Sequence, residues 1–108
     1  MISGYRIMWL MCMFDLPVSE DIQRKRANRF RLDLLDEGFE RVQLSVYVRF
    51  CSSEPVIDSY RRRVKRFLPP EGKVNLLLFT DKQFGRMEVY LGNLRKPSVS
   101  APDQLEFW

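Results

Sequence analysis

Eight apolar residues run unbroken from Ile7 to Phe14 and stop on a carboxylate, Asp15. A run of that length with aromatic content reads as a strand buried on both faces, at the centre of a sheet. Pro17 has no N–H to offer a ladder and ends the strand close to Asp15. The period then becomes helical. Ser19 supplies a cap, Glu20 and Asp21 put acid in the first turn, and Ala27, Phe30 and Leu34 form a buried stripe with Leu35 on its flank. Gly38 stops this helix after Glu37.

Phe39 to Cys51 alternates strictly, with Val42, Leu44, Val46, Val48 and Phe50 on one parity and Gln43, Ser45, Tyr47 and Arg49 on the other. This predicts an antiparallel strand with the first set buried. Thirteen residues is long for one strand, so a hairpin or bulge is expected near Gln43–Ser45. Ser52-Ser53-Glu54-Pro55 opens a second helix, with the stripe Ile57, Tyr60, Val64, Phe67 and Leu68. Pro69-Pro70-Glu71-Gly72 turns the chain into a strand from Val74 to Thr80. Asp81 to Phe84 is a short connection, Met87 to Leu91 is a last strand, and Gly92 ends it.

That order predicts an α+β fold, a ferredoxin-like βαββαβ sandwich with two helices on one face of an antiparallel sheet. Residues 1–92 form the domain, and residues 93–108 are a linker and docking tail. The tail ends on Leu105, Phe107 and Trp108, expected to bind a partner protein or the other protomer. Helices can cover only one face of the sheet, so the apolar central strand calls for a homodimer through the other.

Charge narrows the chemistry. Lys and Arg outnumber Asp and Glu by 18 to 14, a net charge of +4, and there is no histidine. Ser-His-Asp and Cys-His nucleophilic sites and histidine-containing zinc sites are thereby excluded. Any hydrolysis must rest on carboxylates, which favour Mg²⁺ or Mn²⁺. Cys12 and Cys51 form no CxxC pair and suit a reducing compartment. The Ile7–Phe14 run is too short to span a bilayer, and a cytoplasmic protein with no membrane contact is expected.

The distribution of the bases points to an anionic partner. Lys25, Arg26 and Arg29 share their helix face with Asp33 and Asp36. Arg24 and Arg31 flank the stripe without an evident acid beside them. In the second helix Arg61, Arg62, Arg63, Lys65 and Arg66 crowd six positions with only Asp58 nearby. These seven residues, Arg24 and Arg31 included, are the candidate nucleic-acid contacts, suited to phosphates rather than to base edges.

Phe14-Asp15-Leu16-Pro17, Phe30-Arg31, Leu34-Leu35, Glu37-Gly38-Phe39, Gln43-Leu44-Ser45-Val46-Tyr47 and Thr80-Asp81-Lys82-Gln83-Phe84 together resemble the CRISPR-associated protein 2 family. The Gln-x-Ser-Val-Tyr and Lys-Gln-Phe segments look most like members from type II systems. The resemblance implies a ferredoxin-like homodimer whose strand-end aspartates, here Asp15, face each other and share a divalent metal. It implies metal-dependent endonuclease activity on single-stranded RNA or duplex DNA. It also implies a bridge between two CRISPR integrase dimers during spacer acquisition. Many members carry Tyr before the aspartate where this chain has Phe14, so a role for that hydroxyl is absent.

Three functions stay open on these residues. One is a nuclease with Asp15 as its catalytic and metal-binding residue. Another is a non-catalytic scaffold bridging integrase and DNA on the same basic surface. The third is a ferredoxin-like regulatory module for a small ligand, which leaves the arginine-rich helix without a purpose.

Overall fold

The computed structural model describes residues 7–92 and 94–96. In chain order the elements are β1 (Met8–Asp15), α1 (Asp21–Asp36), β2 (Glu40–Gln43), β3 (Val46–Cys51), α2 (Glu54–Arg66), β4 (Lys73–Thr80), the single-turn α3 (Asp81–Gly85), β5 (Val89–Leu91) and β6 (Leu94–Lys96). Four strands form one antiparallel sheet in the order β2-β3-β1-β4, which makes the apolar run at β1 the central strand as its composition requires. The architecture is the ferredoxin-like α+β sandwich.

Alternation along β1 divides the molecule. Leu10, Cys12 and Phe14 point toward α1 and α2 and join Phe30, Leu34, Ile57 and Val64 in the main core. Fully burying side chains such as Leu10, Phe30 and Leu34 stabilises the fold by about 1.5–3 kcal/mol each. Trp9, Met11 and Met13 lie on the opposite face and are only partly buried, so β1 is not sealed on both sides. There α3 and the segment after it give partial cover. Phe84 stacks on Trp9 at 4.2 Å between ring centroids, and Trp9 Nε1 donates to Asp81 Oδ1 at 2.8 Å.

The Phe39–Cys51 stretch breaks where expected, at a tight turn over Leu44-Ser45, with a register shift between Arg41 and Gln43. Both of its faces carry buried side chains, not one as the simple alternation predicts. Tyr47 and Cys51 enter the helix-side core, whereas Val42 and Val48 lie on the far face under Phe84. Leu44 is 72% exposed at the turn and Phe50 is 41% exposed, so neither is a core residue. Both parities carry apolar side chains, and a strand covered from two sides hides its orientation.

Both helix starts follow their local chemistry. Glu20, not Ser19, is the N-cap of α1, and Gln23 Oε1 accepts from the backbone N–H groups of Ser19 and Glu20. Ser53 caps α2, its hydroxyl accepting from Val56 N at 3.4 Å. Gly38 has φ of 87°, a left-handed stop reserved for glycine. Leu68, expected in the α2 stripe, is instead exposed just past the helix.

The strand expected at Met87–Leu91 is shorter and lies outside the main sheet. β5 pairs with β6 in a separate antiparallel hairpin, Val89 with Lys96 and Leu91 with Leu94. The chain after Gly92 therefore continues in paired structure through Lys96 rather than passing at once into a linker. Leu105, Phe107 and Trp108 lie outside the described residues.

Candidate metal and nucleic-acid site

Asp15 is the last residue of β1, and alternation puts it on the same face as Met13, Met11 and Trp9. Backbone contacts on both sides fix its place. Phe14 N donates to Ser45 O at 3.1 Å across the β2–β3 turn, and Asp15 itself stands opposite Lys73 in β4. Gly72, at φ of 90°, lies so close that a Cβ there would come within 2.8 Å of the Asp15 carbonyl oxygen. The carboxylate is exposed on this rigid strand end, and it makes no hydrogen bond or ion pair among the described residues.

No group of three or more Asp, Glu or Cys side chains gathers among the described residues in a way that could hold a metal ion. Among the described residues, this strand end thus offers one hard oxygen ligand, the right kind for Mg²⁺ or Mn²⁺ but too few for a self-contained cage. Mg²⁺ is typically held by one or two carboxylates together with substrate phosphate and water. The donor chemistry fits a divalent ion only if a second carboxylate or a phosphate completes it.

The candidate basic residues separate by their partners. Arg24 is ion-paired with Asp21 and donates to Val18 O at 2.9 Å, so an acid does stand beside it. The pair joins residues three apart across one helical turn, a spacing easily overlooked when only the stripe is followed. Arg61 reaches Asp58 at 3.4 Å, as its spacing anticipates. Arg63 pairs with Glu37 of the α1 C-terminus at 2.9 Å, a long-range partner that local spacing does not reveal. The carboxylate holds the Arg63 guanidinium above its ordinary pKa.

Arg62, Lys65 and Arg66 are exposed and without an ion pair among the described residues. Spaced three and four apart, they share one outer face of α2. Arg31 belongs to a different group. It donates to Asn28 Oδ1 at 3.3 Å, and its charge acts on the Tyr47 phenol together with that of Arg41. Burial pushes that phenol up, and the two guanidiniums pull it down. Arg41 joins Arg31 here through its cross-strand pairing with Tyr47, a neighbour that the Phe39–Cys51 alternation by itself does not reveal.

No helix among the described residues is long and apolar enough to cross a membrane. The family described as CRISPR associated protein Cas2 matches residues 8–87, which includes both helices, Asp15 and the whole four-stranded sheet. Among curated relatives, a protein of Paracidovorax avenae called CRISPR-associated endoribonuclease Cas2 is 47% identical over 108 residues, covering all of both chains. One of the same name from Parvibaculum lavamentivorans is 43% identical over 101 residues, covering 94% of this chain and all of the relative. Another, from Flavobacterium psychrophilum, is 38% identical over 107 residues, covering 99% of this chain and 93% of the relative. With the family model spanning residues 8–87 and relatives 38–47% identical over nearly the whole chain, the chain belongs to the CRISPR-associated Cas2 family.

Proposed function

We propose that the protein works in CRISPR adaptation as a homodimer that binds nucleic-acid backbone, bridges integrase dimers, and cleaves phosphodiesters weakly through Asp15. One observation carries this reading: Asp15 lies on the only partly covered apolar face of the sheet, in line with Trp9, Met11 and Met13. Leu77 is 49% exposed on that face and Phe50 41%, an apolar surface of the kind that marks an interface. Stacking two copies through it hides these side chains and brings both Asp15 carboxylates to the two-fold axis.

The paired carboxylates would hold Mg²⁺ or Mn²⁺. When bound, such an ion would lower the pKa of a coordinated water, easing loss of its proton to solvent so that hydroxide can attack a phosphodiester. The chain's own residues do the rest. Asp15 is presented on a strand end that cannot shift, and Arg62, Lys65 and Arg66 hold phosphates without reading bases. The relatives' name, endoribonuclease, favours RNA as a substrate, and duplex DNA is what a bridge between integrases would carry. Leu105, Phe107 and Trp108 are proposed as a contact for the integrase.

A purely scaffolding role is the second reading, favoured by the lack, among the described residues, of any group of three or more side chains that could hold a metal ion. Cleavage of single-stranded RNA and duplex DNA by repurified wild type and Asp15→Asn, with sedimentation of both, separates the two. Loss of cleavage with the dimer retained supports the nuclease. Equal cleavage by both proteins removes Asp15 from the chemistry.

A further inference from the structure

A cavity of about 420 Å³ opens where β3 leads into α2. β1 and β3 are antiparallel, with Met8 opposite Cys51, so this cavity is at the far end of the sheet from Asp15. Its polar groups are Arg49, Arg63, Ser52 and Ser59; Phe50, Val56 and Tyr60 give it an apolar wall.

Arg49 is the centre of it. Its Nε donates to Glu37 O at 3.1 Å, Nη1 to Phe50 O at 2.6 Å, and Nη2 to the Tyr60 hydroxyl at 2.6 Å. The guanidinium also lies 4.2 Å from the Tyr60 ring centroid. These contacts fix its plane, yet all three acceptors are neutral. A guanidinium carries five N–H donors, so some remain free. The charge is partly buried and has no carboxylate partner among the described residues.

Around this charge stand further donors. Arg63 lies 5.0 Å from the same ring and keeps donors beyond the one bonded to Glu37 Oε1 at 2.9 Å, and the Ser52 and Ser59 hydroxyls make no hydrogen bond among the described residues. A partly desolvated charge held in one orientation without a counter-ion favours an incoming anion. Two hydroxyls and two forked cations suit the several oxygens of a phosphate better than the two of a carboxylate. The cavity is larger than a phosphate, and the surplus is lined by Val56 and Tyr60, which suits a sugar or base.

We propose that this cavity binds the phosphate of a nucleotide, either free or at the 5′ end of a nucleic-acid strand. Arg49 and Arg63 take the phosphate oxygens, and Ser52 and Ser59 donate to them. Arg62 and Arg66 follow on the next turns of α2 and would meet the phosphates of a continuing strand. The site goes beyond the Asp15 reading, because it needs neither that carboxylate nor a second copy.

The test uses the intact protein. Calorimetry with AMP reports free nucleotide, and a short single strand carrying either a 5′-phosphate or a 5′-hydroxyl reports strand ends. Saturable AMP binding, or a strand preference of at least about tenfold for the 5′-phosphate, is expected. Arg63→Gln combined with Ser59→Ala should remove it while leaving the melting temperature near wild type. Arg49→Lys, which keeps the charge but loses the fork, should weaken it too; if that variant fails to fold, the double variant carries the test. AMP bound as tightly as the phosphorylated strand assigns the cavity to free nucleotides, and tighter strand binding assigns it to ends. No AMP binding together with equal affinity for both strands overturns the proposal, as does a phosphate preference that survives in the double variant.

Discussion

Asp15 and Lys73 stand opposite each other at the end of the β1–β4 ladder, and they form no ion pair. The carboxylate therefore contributes little to folding and is free to act on something outside the protomer. Asp15→Asn keeps the size of the side chain and removes its charge. Without metal it should be at least as stable as wild type, because it removes the repulsion between the two carboxylates that the proposed dimer brings together. Mg²⁺ or Mn²⁺ should raise the melting temperature of the wild-type protein and leave that of Asp15→Asn unmoved. A metal effect that persists in the variant would place the ion elsewhere.

Leu77 tests the face on which Asp15 sits. It pairs with Met11 across the ladder and is 49% exposed in the protomer. Leu77→Asp puts a charge into the middle of the proposed interface, where it would be desolvated without a partner. Sedimentation should show a folded monomer. Leu35→Asp, on α1 at 48% exposure and away from that face, should stay dimeric. If both variants remain dimers, the interface lies on another surface.

The ion pairs rank the basic residues. Arg24, Arg61 and Arg63 each face an acid, whereas Arg62, Lys65 and Arg66 do not. Nucleic-acid affinity should fall more in Arg62→Gln/Arg66→Gln than in Arg24→Gln/Arg61→Gln. For duplex DNA, each lost phosphate contact lowers the log–log salt slope by about 0.9, so the first pair should flatten it by roughly two. Equal effects from the two pairs would mean that the whole surface acts as diffuse charge.

Gly38 ties the α1 stop to the Arg49 network. It sits at φ of 87°, and a Cβ there would lie 2.9 Å from Arg49 Nε. Gly38→Ala must strain the backbone and push the guanidinium off the Glu37 carbonyl. We expect a loss of about 1–3 kcal/mol in chemical denaturation. A loss below that range would show that Arg49 yields easily and is not held as tightly as its three bonds indicate.

What could be read from the chain follows which signals are local. The apolar run into Asp15, the Gly38 stop and the Pro55 helix start are each written within one or two turns of sequence, and each stands where expected. The orientation of β3 was not legible, because Tyr47 and Cys51 on one parity compete with Val46 and Val48 on the other. Only the packing of Phe84 from a distant turn decides between them. The candidate site divides the same way. Asp15 was marked by its position at a strand end, but the pairing of Arg63 with Glu37 and the meeting of Arg49 with Tyr60 join residues far apart in the chain.

Cys12 offers a measurement of the core itself. It is fully buried on the helix side of β1, and burial pushes its thiol from 9.0 up to about 12. Burial also raises Cys51, whose shift is partly opposed by Arg49. In the unfolded chain both thiols return to ordinary values and ionise more readily. The folded state therefore holds more protons above pH 9, and stability must fall as pH rises. The contribution of Cys12 is whole below its unfolded value and is lost progressively between pH 9 and about 12, at roughly 1.4 kcal/mol per unit in the steepest part. Cys12→Ala should blunt that alkaline loss, at the cost of a small cavity at neutral pH. Native protein should also resist thiol reagents at pH 8 until it is unfolded. Rapid labelling of Cys12 in the folded protein, or an unchanged alkaline limb in Cys12→Ala, would mean that β1 opens more readily than its central place in the sheet implies.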